Sequence, residues 1–321
     1  MKITHVIWAK YPLWGYGGTE RAAYWLAKAQ AEMGHEVTVL CLPGSELPFA
    51  KCLPIPENFS HLDPLLPEGT EFVQLYSTPA FRIDAPYLVV VQGNGQAGEK
   101  YDPRTVFVSA NHAARHGWSE FVHNGLDPAE YPIGKKKDGS ALFLAKAKWR
   151  VKNLKGAIPI ARAAGMRLHV AGGRAGWWKR GVTSHGDVGG PEKMALLQNC
   201  SALLFPIIWE EPFGIAVIEA LVSGTPAVVT PRGSMPEIVN ASCGAIGNSF
   251  DELVEGLRHA QTIAPEAARA RVLEAFTHHH MANKYLSYYQ KILSLGKLRE
   301  GAPQAAANAD PQAKTYYKQY R

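Results

Sequence analysis

IIWEEPFGIAVIEALVSGTPAVVTPRGSMPEIV, residues 207–239, opens as a loop, turns helical at Gly214 and then reaches a strand. Pro212 and Gly214 stop what precedes them, and helix formers run from Ile215 to Leu221. The same rhythm extends on both sides. Upstream, SALFLAKA (140–147) reads as a strand, LKGAIPIARAAG (154–165) as a helix, MRLHVAGG (166–173) as a strand, PEKMALLQNC (191–200) as a helix and SALLFPI (201–207) as a strand. TPAVVTP (225–231) is the strand within the quoted stretch, and residues 251–296 read as helices. Apolar runs of strand length alternating with helices predict a doubly wound parallel sheet.

The first part of the chain carries a second such pattern. ITHVIWA (3–9) is a buried strand, YPLWGYGGTE (11–20) a glycine-containing loop, RAAYWLAKAQAEMG (21–34) a helix ending at Gly34, and HEVTVLCL (35–42) the next strand. Residues 43–70 hold many prolines and predict a long irregular connection. EFVQLY, YLVVVQ, TVFVSA and EFVHN follow as short strands, and the turn NGLDPAEYP closes this half. Gly134–Gly139, with its lysine run, reads as an exposed linker. The expected division is therefore an N-terminal domain over 1–133, a C-terminal domain with closing helices over 134–296, and a tail over 297–321 that is poorly ordered from Gly301.

Bulk properties narrow the classes. The chain has 321 residues, 46% hydrophobic and 19% charged, which suits two globular domains. No run is long enough to span a bilayer. The N-terminus reads as a strand and not as a signal peptide. Cys41, Cys52, Cys200 and Cys243 are scattered, with no zinc spacing, so a cytoplasmic location is expected. The net charge of +6 favours anionic partners, among them nucleotide phosphates, lipid and nucleic acid. No nucleic-acid motif occurs. Peripheral contact with the inner face of a membrane stays open.

The helix starting at Gly214 supplies unpaired N–H groups and a positive dipole end, an anion site. Glu211 lies just before it and Glu219 inside it, about 12 Å apart along the axis if the whole spacing were helical. Carboxylates on either side of a phosphate site suit an extended ligand with hydroxyls at both ends, the form of a nucleotide sugar.

These motifs resemble those of the retaining glycosyltransferases of family 4, which have the GT-B fold of two Rossmann-like domains facing a central cleft. EPFGIAVIE matches that family's E-x7-E signature. GGTE (17–20), FVHNGLDPAEY (121–131), FLAKAKWRVKNLKGA (143–157), HVAGG (169–173), SHGDVGGPEKMALLQNCSALLFP (184–206), GTPAVVTPRGSMPEIV (224–239) and FTHHHMANKYLSYYQKIL (276–293) follow in family order. The resemblance spans most of residues 3–293 and implies retaining transfer from a UDP- or GDP-sugar to an unidentified acceptor.

By that resemblance Glu211 holds hydroxyls of the transferred sugar and Glu219 the ribose. Phe213, Gly214 and Ile215 present amides to sugar and phosphate, and Gly17 and Gly18 let backbone approach the diphosphate. Lys146 and Lys152 neutralise the leaving pyrophosphate, with Lys146 in place of the family's arginine and Lys148 or Arg150 near enough to substitute. Val188 contacts the base. Gln92 or Asn94 stands where many members carry a sugar-orienting histidine. No cofactor and no metal is expected, since the departing phosphate can take the acceptor proton and no D-x-D occurs. A nucleotide-sugar epimerase or hydrolase of the same fold, and a non-catalytic nucleotide-sugar-binding module, are the competing readings.

Other patterns carry bland readings. GNGQAG (93–98) fits G-x-G-x-x-G but lacks room for a following helix, so it reads as a loop facing the cleft. His112 and His116 are structural, and His278–His280 lie on a helix surface. Trp177 and Trp178 pack in a core or in a loop near the base in preference to meeting a membrane.

Overall fold

The computed structural model describes residues 1–13, 17–95, 98–134, 136–176 and 180–305. It divides into two compact units. The first holds Met1–Leu126 together with the described residues from Thr277, 277–305, and the second holds Asp127–Phe276.

In the first unit, β1 (Lys2–Val6) leads through α1 (Gly18–Glu32) to β2 (Glu36–Cys41) and the short β3 (Lys51–Pro54). The chain then returns through β4 (Phe72–Leu75), β5 (Tyr87–Val90), β6 (Thr105–Val106) and α2 (Ala110–Arg115). All six strands pair in parallel in the order β3-β2-β1-β4-β5-β6. Strands β4 and β5 are buried along their whole length, the property that makes them read as unbroken apolar runs. The winding direction reverses between β1 and β4, so a crevice opens outside their carboxyl ends.

The second unit repeats the plan. β7 (Ala141–Leu144), α3 (Leu154–Ala163), β8 (Leu168–Ala171) and β9 (Val182–Gly186) build one side, followed by α4 (Gly190–Asn199). β10 (Ala202–Phe205), α5 (Ile215–Val222), β11 (Ala227–Val229), α6 (Met235–Ile238) and β12 (Gly244–Ile246) build the other. The parallel order is β12-β11-β10-β7-β8-β9, with the reversal between β10 and β7. Helices α7 (Phe250–Ala260) and α8 (Pro265–Ala275) complete the unit, and Arg269 ties α8 inward by donating to the carbonyls of Tyr131, Val222 and Pro128.

Helix α9 (His278–Leu295) corrects the expected domain limits. It belongs to the first unit, where Tyr289 stacks on Phe72 at 4.1 Å and its hydroxyl donates to Gln74 at 2.8 Å. The chain leaves the first unit at Leu126 and re-enters it at Thr277, and these two residues bridge each other. Gly125 is needed there, because a Cβ would stand 2.2 Å from the Thr277 carbonyl oxygen. Residues 297–305 also pack on the first unit: Gln304 exchanges hydrogen bonds with His116, and the Arg299 guanidinium covers Trp118 at 4.5 Å. The tail is thus held as far as it is described.

Within the expected linker Lys136, Asp138 and Gly139 are exposed, whereas Gly134 and Lys137 are packed. Gly134 lies against the Gln198 backbone, and Lys137 donates to Gln198 O and Thr225 Oγ1 at 2.8 and 2.7 Å. Burial pushes the Lys137 ammonium down to about 8. β3, β9 and β12 were hidden in the sequence because they are short edge strands with few buried side chains. EFVHN forms no strand, only a bridge from Phe121 to Phe107. Among the described residues no helix follows Gly98 before β6.

His112 and His116 share one face of the α2 region and pack on Phe107, with ring centroids at 4.7 and 4.5 Å. His278 is buried and bonds Glu32 at 2.8 Å, so the helix-surface reading holds only for His279 and His280. Trp177, Trp178, Lys135, the Gln96–Ala97 pair of GNGQAG, the Trp14–Tyr16 part of the glycine loop and the tail from 306 lie outside the described residues.

Candidate active site

The second unit places its chemistry at the carboxyl ends of β7 and β10, where its winding reverses. After β7 the chain passes Lys146, makes a 3-10 turn over Arg150–Lys152 and enters α3 through Asn153. Asn153 adopts a left-handed conformation, φ 60°, and its amide is fixed at both ends. It accepts from Gly156 N at 3.0 Å and donates to Pro206 O at 2.9 Å. Ile208 N bonds Val151 O at 2.9 Å. These bonds draw the loop after β10 against the turn carrying Lys152.

The result is a buried cluster. The Lys152 ammonium donates to Glu211 Oε2 at 2.5 Å, and the Trp209 indole N–H donates to the same oxygen at 2.6 Å. Lys152 also lies over the rings of Trp209 and Phe205, at 4.7 and 5.1 Å. Both ion-pair side chains are nearly enclosed, 6% and 11% exposed. A buried pair recovers its desolvation cost only when its geometry is closely supported, and here an indole and an aromatic wall supply that support.

The backbone of Glu211 is clamped from the other side. Gly233 and Ser234, in the loop after β11, donate to Glu210 Oε2 and Glu211 O at 2.5 and 3.0 Å. A Cβ on Gly233, where φ is +59°, would come within 2.1 Å of the Glu211 carbonyl oxygen. The Ser234 hydroxyl donates to Phe213 O at 2.6 Å. PRGSMP therefore acts as the strap that holds EEPFG in place.

Gly214 caps α5 with φ 88° and ψ 61°, a left-handed conformation that costs other residues about 1–2 kcal/mol. A Cβ there would also stand 2.7 Å from Met235 Cε. No side chain caps the helix. The first amides of α5 have no acceptor within their own helix, and its dipole end favours an anion. Phe213 is buried against Phe276, at 5.9 Å and near a right angle.

Glu219 occupies a separate buried setting. Its Oε1 accepts from Lys193 and from the Tyr131 hydroxyl, both at 2.7 Å, and the residue is 3% exposed. Val188 is half-buried in the turn between β9 and α4, ahead of Lys193 in the same helix entry. The Lys146 ammonium lies over the Trp149 ring at 4.7 Å. The structure thus brings Lys152, Glu211 and the start of α5 together and sets Lys146 and Glu219 on different contacts. Trp209, Lys193 and Tyr131 were missed in the sequence. Trp209 sits two residues from Glu211 and carried a local signal, whereas Tyr131 meets Glu219 only through tertiary folding.

In the first unit, Gly17 precedes α1 in extended backbone and Gly18 is its first residue. A Cβ on Gly17 would meet the Glu20 carboxylate at 2.6 Å, a flexible group that can move aside. Gln92 exchanges two hydrogen bonds with the buried Asn124, at 3.0 and 2.8 Å. That closed amide pair fixes the orientation of Gln92 and leaves each amide one further N–H. Asn94 instead accepts from Arg115 at 2.8 Å.

Comparisons with known proteins fit this geometry. Residues 140–261, which contain Lys146, Lys152, Glu211 and Glu219, match the family described as Glycosyl transferases group 1. A search of curated proteins finds no match to the sequence. Among solved structures, the chain is similar to AviGT4, a glycosyltransferase involved in avilamycin A biosynthesis, with 25% identity and a TM-score of 0.76 over 92% of this chain and 98% of that one. It also shares its fold with the sucrose-phosphate synthase of Thermosynechococcus elongatus, at 14% identity and a TM-score of 0.67 over 91% and 99% of the two chains. Anabaena Alr3699/HepE, solved in complex with UDP-glucose, gives 13% identity and a TM-score of 0.63 over 92% and 99%. The architecture is the two-domain α/β GT-B fold. The family match and the similarity to AviGT4 support a glycosyltransferase.

Proposed function

We propose that this protein is a retaining glycosyltransferase of the family 4 type, which moves a sugar from a UDP- or GDP-sugar to an acceptor without a metal ion. The observation that carries this reading is the Lys152–Glu211–Trp209 cluster at the uncapped start of α5. A diphosphate docked at the first amides of α5 would have Lys152 beside it, and the lysine charge together with the helix end would stabilise the negative charge growing on the leaving group. Glu211 would accept from hydroxyls of the transferred sugar while held in orientation by Trp209. Glu219, fixed by Tyr131 and Lys193, would accept from the ribose. The departing phosphate would take the acceptor proton, so no enzyme nucleophile is required. The UDP-glucose complex of the Anabaena neighbour supports a nucleotide-sugar donor.

The locked Gln92–Asn124 pair favours one competing reading, a nucleotide-sugar-binding module without turnover. Incubation with labelled UDP- and GDP-sugars and a panel of acceptors separates the two. Transfer in the wild type, lost in a folded Glu211→Ala variant and unchanged in excess EDTA, is the expected result. Tight donor binding with neither transfer nor hydrolysis would leave the binding module standing. Near-normal transfer by Glu211→Ala would remove the assigned role of that carboxylate, and an EDTA loss restored by magnesium would contradict the metal-free mechanism.

A further inference from the structure

Helix α1 ends on Glu32, and α9 begins with three histidines in a row. On a regular helix such neighbours face different ways, and here the N-cap sorts them. The Thr277 hydroxyl accepts from His280 N at 3.2 Å and bonds the His280 ring at 2.8 Å, which holds His280 at the cap. His278 and His279 instead lie side by side, with ring centroids 4.2 Å apart and planes tilted by 32°. Both turn their Nε2 atoms to one oxygen at the end of α1, Glu32 Oε2, at 2.8 and 3.1 Å. His278 is buried and His279 exposed, so the group opens from the protein interior to solvent.

The donor atoms of these three residues all lie within 4.8 Å of one another. Bonds of about 2.0–2.1 Å at tetrahedral angles would set ligand atoms about 3.3 Å apart. The two nitrogen-to-oxygen separations already fall within about half an ångström of that value, and the exposed His279 ring can turn to close the third. Two imidazoles and a carboxylate suit zinc, cobalt, nickel or copper, whereas magnesium and calcium take oxygen donors. Lys28 lies 4.0 Å from Glu32 Oε1, on the far oxygen of the carboxylate, and leaves Oε2 to the rings. The end of α1 favours a cation and the start of α9 opposes one by a similar amount, so the donor atoms decide. His61, Asp63 and Asp84 form another such group among the described residues. There Arg82 already sits 2.8 Å from Asp84 Oδ2, the oxygen that faces His61, and its charge opposes an ion.

We propose that Glu32, His278 and His279 form a site for a divalent ion of the zinc class, which clips the end of α1 to the start of α9. Gln30, two residues before Glu32, already donates to Tyr289 of α9, so the ion would fasten a helix pair that packing has brought together. Three protein donors leave a further position for water, which makes the ion exchangeable. The site belongs to the first unit and does not rest on the glycosyltransferase reading, whose chemistry uses no metal. The test takes the untagged full chain stripped with a chelator and titrates it with zinc chloride by calorimetry and with cobalt chloride by visible absorption. Saturable zinc binding is expected, with the strong visible bands of four-coordinate cobalt and with zinc at least a hundred-fold tighter than magnesium. Zinc should also raise the melting temperature, since the folded chain alone assembles all three donors. Glu32→Gln and His279→Ala should each weaken zinc at least ten-fold and remove that rise. His280→Ala should change zinc affinity less than two-fold. His279 is exposed, so its variant keeps the test open should Glu32→Gln not fold. No saturable uptake, zinc binding unchanged in both variants, or a loss in His280→Ala equal to that in His279→Ala would overturn the proposal; the last would mean that the histidine run binds zinc without Glu32.

Discussion

Each unit buries a chain of polar side chains, and the two chains are built for opposite ends. In the first unit Tyr76, His5, Gln30, Tyr289 and Gln74 bond in series, at 2.8, 2.7, 3.2 and 2.8 Å. Every member is formally neutral, and the series runs through the packed body of the sheet to fasten α9. In the second unit Lys152, Glu211 and Trp209 bond as tightly, but Lys152 and Glu211 carry full charges, and the three stand at strand ends beside an uncapped helix. A neutral network in a core adds specificity to packing. A charged one at a strand end retains capacity to act on a ligand, and it is costly to disrupt. Depth of burial does not separate the two; charge and position in the sheet do.

Removing one partner from the charged cluster should have the largest effect. Lys152→Met strands a buried carboxylate, so stability is expected to fall by about 3–5 kcal/mol and transfer by roughly a thousand-fold. Urea unfolding and initial rates check the two. Pairing it with Glu211→Gln should restore much of the stability and none of the rate. Equal recovery of both would make the cluster structural, like its counterpart in the first unit.

Acid probes the neutral network. Burial pushes the His5 imidazole down to about 4, against an unfolded value near 6.5. The unfolded chain therefore binds more protons between these values, and stability is fully present above pH 6.5 and lost as pH falls toward 4. The His5 contribution is on the order of 3 kcal/mol. Burial lowers His112 and His169 in the same direction, so the decisive comparison is the slope of stability against pH in wild type and His5→Gln. A slope unchanged by that substitution would detach His5 from the acid response.

Tyr289→Phe removes the hydroxyl between Gln30 and Gln74 and leaves buried amide groups short of a partner. A loss of about 2 kcal/mol in urea unfolding is expected, with transfer rate unchanged. A matching fall in kcat would blur the line between the two networks. Gly214→Ala should cost about 1–2 kcal/mol from its positive φ and raise the donor KM several-fold. An unaltered KM would argue against ligand contact at the start of α5.

The sequence was most legible where burial was continuous. The central strands are unbroken apolar runs, and their alternation with helices sufficed to predict two doubly wound sheets. The edges β9 and β12 were not legible, because their exposed residues lack the pattern that marks a buried strand. The placement of α9 was also hidden. Its aromatic face announces that something is buried, but its partners Phe72 and Gln74 lie more than two hundred residues away in the chain. At the candidate site, the eight-residue spacing of Glu211 and Glu219 exposed both carboxylates, and the basic run exposed Lys152. Which lysine meets which carboxylate was not legible: Lys152 reaches Glu211 and Lys193 reaches Glu219, both by tertiary approach.

The most direct test is a crystal of the full chain soaked with UDP-glucose or GDP-mannose. The account predicts diphosphate density at the amides of Gly214 and Ile215, beside Lys152, with sugar hydroxyls on Glu211. Nucleotide bound away from α5, or an α5 start still filled by packed side chains with the ligand present, would contradict it.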